Sequence, residues 1–172
     1  MAEKKFIIGF ETTSKILDKS IMEIIMPDVD ASSTRILMGV PKETAEKRES
    51  KDEKEPMNNA YLLSIHEHGT IDGTIPARPL LSTIIKQEKE YIDDGFKKYI
   101  ELIDEDKPHS AENQLKKMAV YIEGKLVEYF DKNDWVANAP STIARKGSAR
   151  PLIDSGDLRR SIKAFVDEGG RE

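Results

Sequence analysis

The sequence predicts an α+β fold: a small, mostly antiparallel sheet packed by a long antiparallel helical hairpin, with extended loops. Three observations predict it. Residues 80–104 and 110–132 repeat apolar side chains at helical spacing, and only the short breaker "DEDKPH" parts them. Two β-prone runs, "TRILMGVP" (34–41) and "SIKAFVDE" (161–168), lie on either side of that helical stretch. Gly, Pro and charge runs punctuate the remainder. The 172 residues are read as one domain, long enough to bury a core.

Each element has its own signal. "KKFIIGF" (4–10) reads as a short strand. In "TTSKILDKSIMEIIMP" (12–27), Ile16, Leu17, Ile21, Ile24 and Ile25 fall on one helical face, with Thr12 or Thr13 at the cap and Pro27 as the stop. "TRILMGVP" is a strand ended by Pro41. Residues 42–56, "KETAEKRESKDEKEP", are almost wholly charged; they read as a solvated mobile loop, or as a segment that orders on meeting a partner. "MNNAYLLSIHEHG" (57–69) reads as a short helix stopped by Gly69, and "TIDGTIPARP" (70–79) as a loop.

From Leu80 the helical pattern is strong. Leu81, Ile84, Ile85, Tyr91, Ile92, Phe96, Tyr99, Ile100 and Ile103 recur to about Asp104, and Gly95 weakens the helix without ending it. Ser110 stands as the cap of the second helix, whose buried stripe is Leu115, Met118, Ala119, Ile122, Leu126 and Phe130. After it, "WVANAPSTIARKGSARPLID" (135–154) reads as an irregular arm with Trp135 as its anchor. Asp154 or Ser155 then caps a turn, and a last strand places Ile162, Ala164 and Val166 on one side.

Composition narrows the function classes. Charged residues make up 34% of the chain and the net charge is −5, so a whole-surface nucleic-acid binder is disfavoured. With no cysteine, disulfides and thiolate metal sites are excluded. No stretch is apolar enough to read as a signal peptide or a membrane span, so synthesis in a cytoplasm is expected.

The chemical motifs are weak. His66 and His68 are two residues apart and diverge on a helix, where a metal pair wants one turn. A metal-dependent hydrolase using His66, Glu67 and His68 is therefore a distant alternative. No nucleophile elbow and no phosphate loop appears, and no cofactor is expected. Residues 141–163 are locally basic, through Arg145, Lys146, Arg150, Arg159, Arg160 and Lys163. They lack aromatic platforms for bases, so a nucleic-acid accessory reading ranks below protein contact. The acidic stretches of the helical hairpin, on a neighbouring subunit, are their natural counterpart.

Two stretches together resemble a known group. "NAYLLSIHEHGTIDGTIPARPLL" (59–81) resembles the "A-x-x-x-E-x-G … I-P-x-R-P-F-L" signature of tailed-bacteriophage morphogenesis proteins. "NAPSTIARKGSARPLIDSGDLRRSI" (138–162) resembles the same group's "N-A-P-x-T-I-x-x-K-G-x-x-x-P-L-I-D-T-G-x-L-x-x-S-I". Leu80 replaces the usual Phe and Ser155 the usual Thr, and residues 1–35 carry no family motif.

The resemblance implies a non-enzymatic virion protein of the neck or tail, related to the tail-terminator fold and made in the host cytoplasm. It implies tail completion or head-to-tail joining as a closed, six-fold ring. The partners would be further copies of itself and neighbouring neck, connector, tail-tube or terminator proteins, with genome DNA passing through the lumen unbound. A tail terminator or another minor tail protein is the nearest alternative. The candidate subunit or partner contacts are Arg78, Trp135, Thr142, Arg145, Lys146, Arg150 and Arg159. Arg78, between Pro76 and Pro79, reads equally as a fork to a neighbour's carboxylate and as a brace for its own loop.

Overall fold

A three-stranded antiparallel sheet joins two widely separated parts of the chain. In the computed structural model, which describes residues 22–24, 35–41, 58–132, 134–152 and 156–167, β1 is Met22–Ile24 and β2 is Arg35–Gly39. The third strand, β3, is Lys163–Asp167. β2 is central, pairing Ile36 with Val166 and Met38 with Ala164 on one side, and Ile36 with Ile24 on the other. The alternation of "RILMG" drives this: Ile36 and Met38 are fully buried, while Arg35 and Leu37 are half-buried. Ala164 and Val166 extend the same apolar face, as the period-two pattern of the last strand requires. Arg35 Nε closes the ladder on Asp167 Oδ2 at 2.8 Å.

The helices cover that face. They are α1 (Asn59–His68), α2 (Leu81–Gln87), α3 (Lys89–Asp104), α4 (Pro108–Lys132), α5 (Pro140–Lys146) and α6 (Asp157–Ser161). The buried stripe of α4 is Ala111, Leu115, Met118, Ala119, Ile122, Leu126 and Phe130. It meets Ile92, Gly95, Phe96 and Tyr99 from α3 in the core. Glu123 of α4 takes the backbone N–H of Ala164 on Oε2 and the Lys163 ammonium on Oε1, both at 3.1 Å, which ties the helix to the start of β3. The described part is thus α-rich, with a small antiparallel sheet.

Four expectations need correction. The stretch 80–104 is two helices, broken at Glu88, whose φ of −98° and ψ of 16° leave the α region. Gly95 does not break it; Gly95 leaves room for the Met118 side chain of α4, since a Cβ there would lie 2.5 Å from Met118 Sδ. The second helix begins at Pro108, a residue suited to a first helical turn, rather than beyond a Ser110 cap. Residues 22–24, assigned to a helix by spacing, form β1, because "IMEIIM" fits a strand period as well as a helical one. Finally, the arm 135–154 is not wholly irregular, since it contains α5. The strand at 4–10, most of the helix at 12–27 and the charged loop 42–56 lie outside the described residues.

Candidate functional site

The first motif is built around a carboxylate. Asn58 caps α1 by accepting Tyr61 N–H at 2.8 Å, and Gly69 ends it with φ 74° and its N–H on Ile65 O. Glu67, on the last turn, is buried at 7% exposure. Its Oε2 accepts the N–H groups of Leu80 and Leu81 at 2.7 and 2.9 Å, and its Oε1 accepts Ser82 N–H at 2.9 Å. These are the donors that the start of α2 leaves without helical partners, and the negative charge sits at the positive end of the helix. Leu80, at the cap position, offers no side-chain hydrogen bond of its own. Glu67 therefore fixes the entry to α2 from across the loop. This role withdraws the carboxylate from the metal-dependent hydrolase reading, and His68 Nδ1 lies 3.0 Å from the Ser64 carbonyl.

Arg78 joins the two motifs. It is 5% exposed, and its own N–H donates to His66 O at 2.6 Å. Its Nε donates to Val136 O at 3.0 Å. One terminal nitrogen reaches Ala137 O and Asn138 Oδ1, both at 3.4 Å. Burial lowers its pKa from the ordinary arginine value. The reading of Arg78 as a fork to a neighbour's carboxylate gives way to the brace reading, because its donors point to carbonyls of its own chain.

Asn138 passes the connection on. Its Nδ2 lies 3.3 Å from Arg150 O and 3.5 Å from Ala149 O, so the two ends of the α5 segment are held together. Between them α5 has clear local causes: Pro140 in its first turn, and Gly147 at φ 68° after its end, with the Gly147 N–H on Ile143 O. Trp135 packs edge-on against Tyr129 and Phe130, with ring centroids 5.6 and 5.4 Å away. It anchors the arm to the end of α4.

The remaining candidates divide. Arg159 is engaged within the chain, its Nε and one terminal nitrogen 2.9 and 2.7 Å from the two carboxylate oxygens of Asp131. Arg150 reaches the Asp131 carbonyl at 3.3 Å. The charge pairing expected between a basic segment and an acidic helix of a neighbour is thus made by Arg159 within its own chain, while Arg150 bonds the main chain of the same residue. The acids of the helices are largely matched on their own surface, as in Lys89–Asp93, Lys97–Asp94, Lys98–Glu101 and Lys125–Glu128. Thr142 is half-buried, Arg145 is exposed without an ion pair among the described residues, and Lys146 is the last residue of α5. The Ser155 and Asp154 cap lies outside the described residues.

Glu67, Asn138 and Asp131 are organising residues whose structural roles the sequence reading did not assign, although Glu67 and Asn138 fall within the two motifs. A signal existed for Glu67: an acid just before a glycine stop, followed by a Pro-led helix lacking its own cap. Among the described residues no group of His, Asp and Glu is arranged to hold a metal ion, and no helix is long and apolar enough to cross a membrane. Comparison with family models, with curated proteins and with solved structures finds no match to this chain.

Proposed function

We propose that the chain is a structural virion protein of a tailed-phage neck or tail, acting in tail completion or head-to-tail joining as a ring-forming adaptor. The observation that carries this reading is the Arg78 bridge. Arg78 lies in one of two sequence stretches that resemble one family's paired signature; it reaches the side chain of Asn138, the first residue of the other, at 3.4 Å, and holds the carbonyls of Val136 and Ala137 just before it.

On this reading α3 and α4 are the antiparallel hairpin that the family carries between its motifs. The signature residues act as a frame: Glu67 sets α2, Arg78 holds the arm, Asn138 closes it and Trp135 pins it. The frame presents α5 to a neighbour, with Thr142 and Arg145 as contact residues and Lys146, at the end of the same helix, as a third. The work is mechanical, and the acidic protein lets DNA pass without retention.

The test is mass spectrometry of purified particles of the phage that encodes the chain, with antibody labelling seen by electron microscopy. The chain should be found in the particle at the head–tail joint in ring stoichiometry. A chain present in infected cells and absent from finished particles would overturn the reading.

A further inference from the structure

The turn at residues 70–75 is braced far beyond what a surface loop needs. Thr70 N–H donates to Ile75 O and Gly73 N–H to Thr70 O, each at 2.9 Å. Ile75 N–H donates to Thr70 Oγ1 at 2.9 Å. Asp72 accepts Thr74 N–H on Oδ1 at 3.0 Å and the Thr74 hydroxyl on Oδ2 at 2.7 Å. The hydroxyls of Thr70 and Thr74 pull the Asp72 carboxyl down to about 2, so it is charged throughout the physiological range. At the tip of this network Ile71 is 110% exposed, standing clear of the described residues. Single exposed apolar residues are ordinary on protein surfaces; one held out on a rigid stalk next to a fixed negative charge is not.

A matching receptor lies elsewhere on the same chain. Tyr91 and Tyr121 stack with ring centroids 3.8 Å apart between α3 and α4. The Tyr121 hydroxyl is fixed by donating to Glu88 Oε2 at 2.8 Å, at the break between α2 and α3. With Val120, 73% exposed, these rings make the apolar part of a shallow groove of about 620 Å³, edged by Asn113, Lys116 and Lys117. Lys116 is paired with Glu112, whereas Lys117 is exposed and has no ion pair among the described residues.

We infer that the Ile71 turn of one copy seats in the Tyr91–Val120–Tyr121 groove of the next, with Asp72 facing Lys117. The apolar tip meets an apolar floor and the acid meets an exposed ammonium, so both components of recognition are complementary. The two surfaces are different parts of one chain, and Ile71 does not fill its own groove. Such a contact is head-to-tail, the kind that closes identical subunits into a ring. It deepens the ring-forming reading and rests on it. Each contact is small, and closure of the ring supplies the avidity that one knob lacks.

The experiment uses the full chain and two surface variants, Ile71→Asp and Val120→Asp, followed by sedimentation velocity and native mass spectrometry. Unchanged circular dichroism melting of both variants establishes that they fold. Wild-type protein should assemble, and each variant alone should lose self-association by about thirtyfold or more. Mixed together at concentrations well above those at which wild type assembles, the two should form a dimer that goes no further, because the knob of Val120→Asp and the groove of Ile71→Asp are both intact, while either variant alone at the same concentration should not. Lys117→Glu should weaken wild-type assembly, and added salt should do the same. Rings that persist in both single variants would overturn this contact while leaving the ring-forming reading in place. A wild-type chain that stays monomeric at all concentrations would overturn both, whereas variants that are monomeric alone and fail to pair when mixed would overturn this contact alone.

Discussion

Arg159 holds Asp131 with a two-pronged contact, Nε to Oδ1 and a terminal nitrogen to Oδ2, across 28 residues of sequence. The pair locks α6 to the last turn of α4 and brings the basic segment down onto its own helix. Hydrogen bonding from Arg159, more than its charge, holds the Asp131 carboxyl below the ordinary carboxylate range. Because the folded value is depressed, the pair's stabilisation is present in full above the unfolded carboxylate value. It disappears as pH falls through the depressed folded value. Melting of wild type and Asp131→Asn across acidic to neutral pH should therefore show a gap at neutral pH that closes at the acid end. Arg159→Lys keeps the charge but loses the fork, and should show most of the same gap.

Glu67 is the single acceptor for three main-chain donors of α2. Glu67→Ala should destabilise the fold by about 2–4 kcal/mol, as buried N–H groups lose their partner. Glu67→Gln keeps one oxygen and should cost roughly half as much. Urea unfolding midpoints measure both, and a neutral Glu67→Ala would show that the cap is not what fixes α2.

Gly95 and Gly124 lie in adjacent helices and should respond to alanine with opposite signs. A Cβ at Gly124 meets nothing within 4 Å, so Gly124→Ala should stabilise by about 0.5–1 kcal/mol through helix propensity alone. A Cβ at Gly95 lies 2.5 Å from Sδ and 2.6 Å from Cε of Met118, a side chain with no exposure. Overpacking of about 1–3 kcal/mol outweighs the propensity gain there. Thermal melts of the two variants, each against wild type, decide the signs.

Arg78→Lys separates a brace from a mere positive charge. Lysine cannot reach Val136 O, Ala137 O and Asn138 Oδ1 together, so the arm should loosen although the charge is kept. Trp135 is the only tryptophan and sits at the root of that arm. Its fluorescence should shift to the red in Arg78→Lys under conditions where α4 remains helical by circular dichroism.

Much of this architecture was legible in the pattern of residues. The α4 stripe from Leu115 to Phe130 is buried where a helical period puts it, and Ile36, Met38 and Ala164 are buried where a strand period puts them. The break at Glu88 was not legible, because glutamate and lysine are good helix formers and the break sits where Tyr121, 33 residues away, hydrogen-bonds the side chain. Tyr91 follows the apolar period yet is 36% exposed, since it stacks on Tyr121 at the groove instead of entering the core. The α5 helix carried its own start and stop in Pro140 and Gly147, but its short length hid the period. For Arg78, the brace and the fork read alike in sequence; only the approach of Val136 separates them.

The sheet has a consequence for the order in which the chain can fold. Arg35 and Asp167 are 132 residues apart, and β2 meets β3 only after α1 to α6 have left the ribosome. Contacts this distant in sequence form late, while the helices between them form from near neighbours. A product that stalls before Lys163 therefore carries β2 with one hydrogen-bonding edge open and Ile36 and Met38 poorly covered. Such a fragment is sticky and misshapen, a target for chaperones and proteases. Closing the sheet last makes completion of translation a checkpoint that the chain passes before its core is sealed.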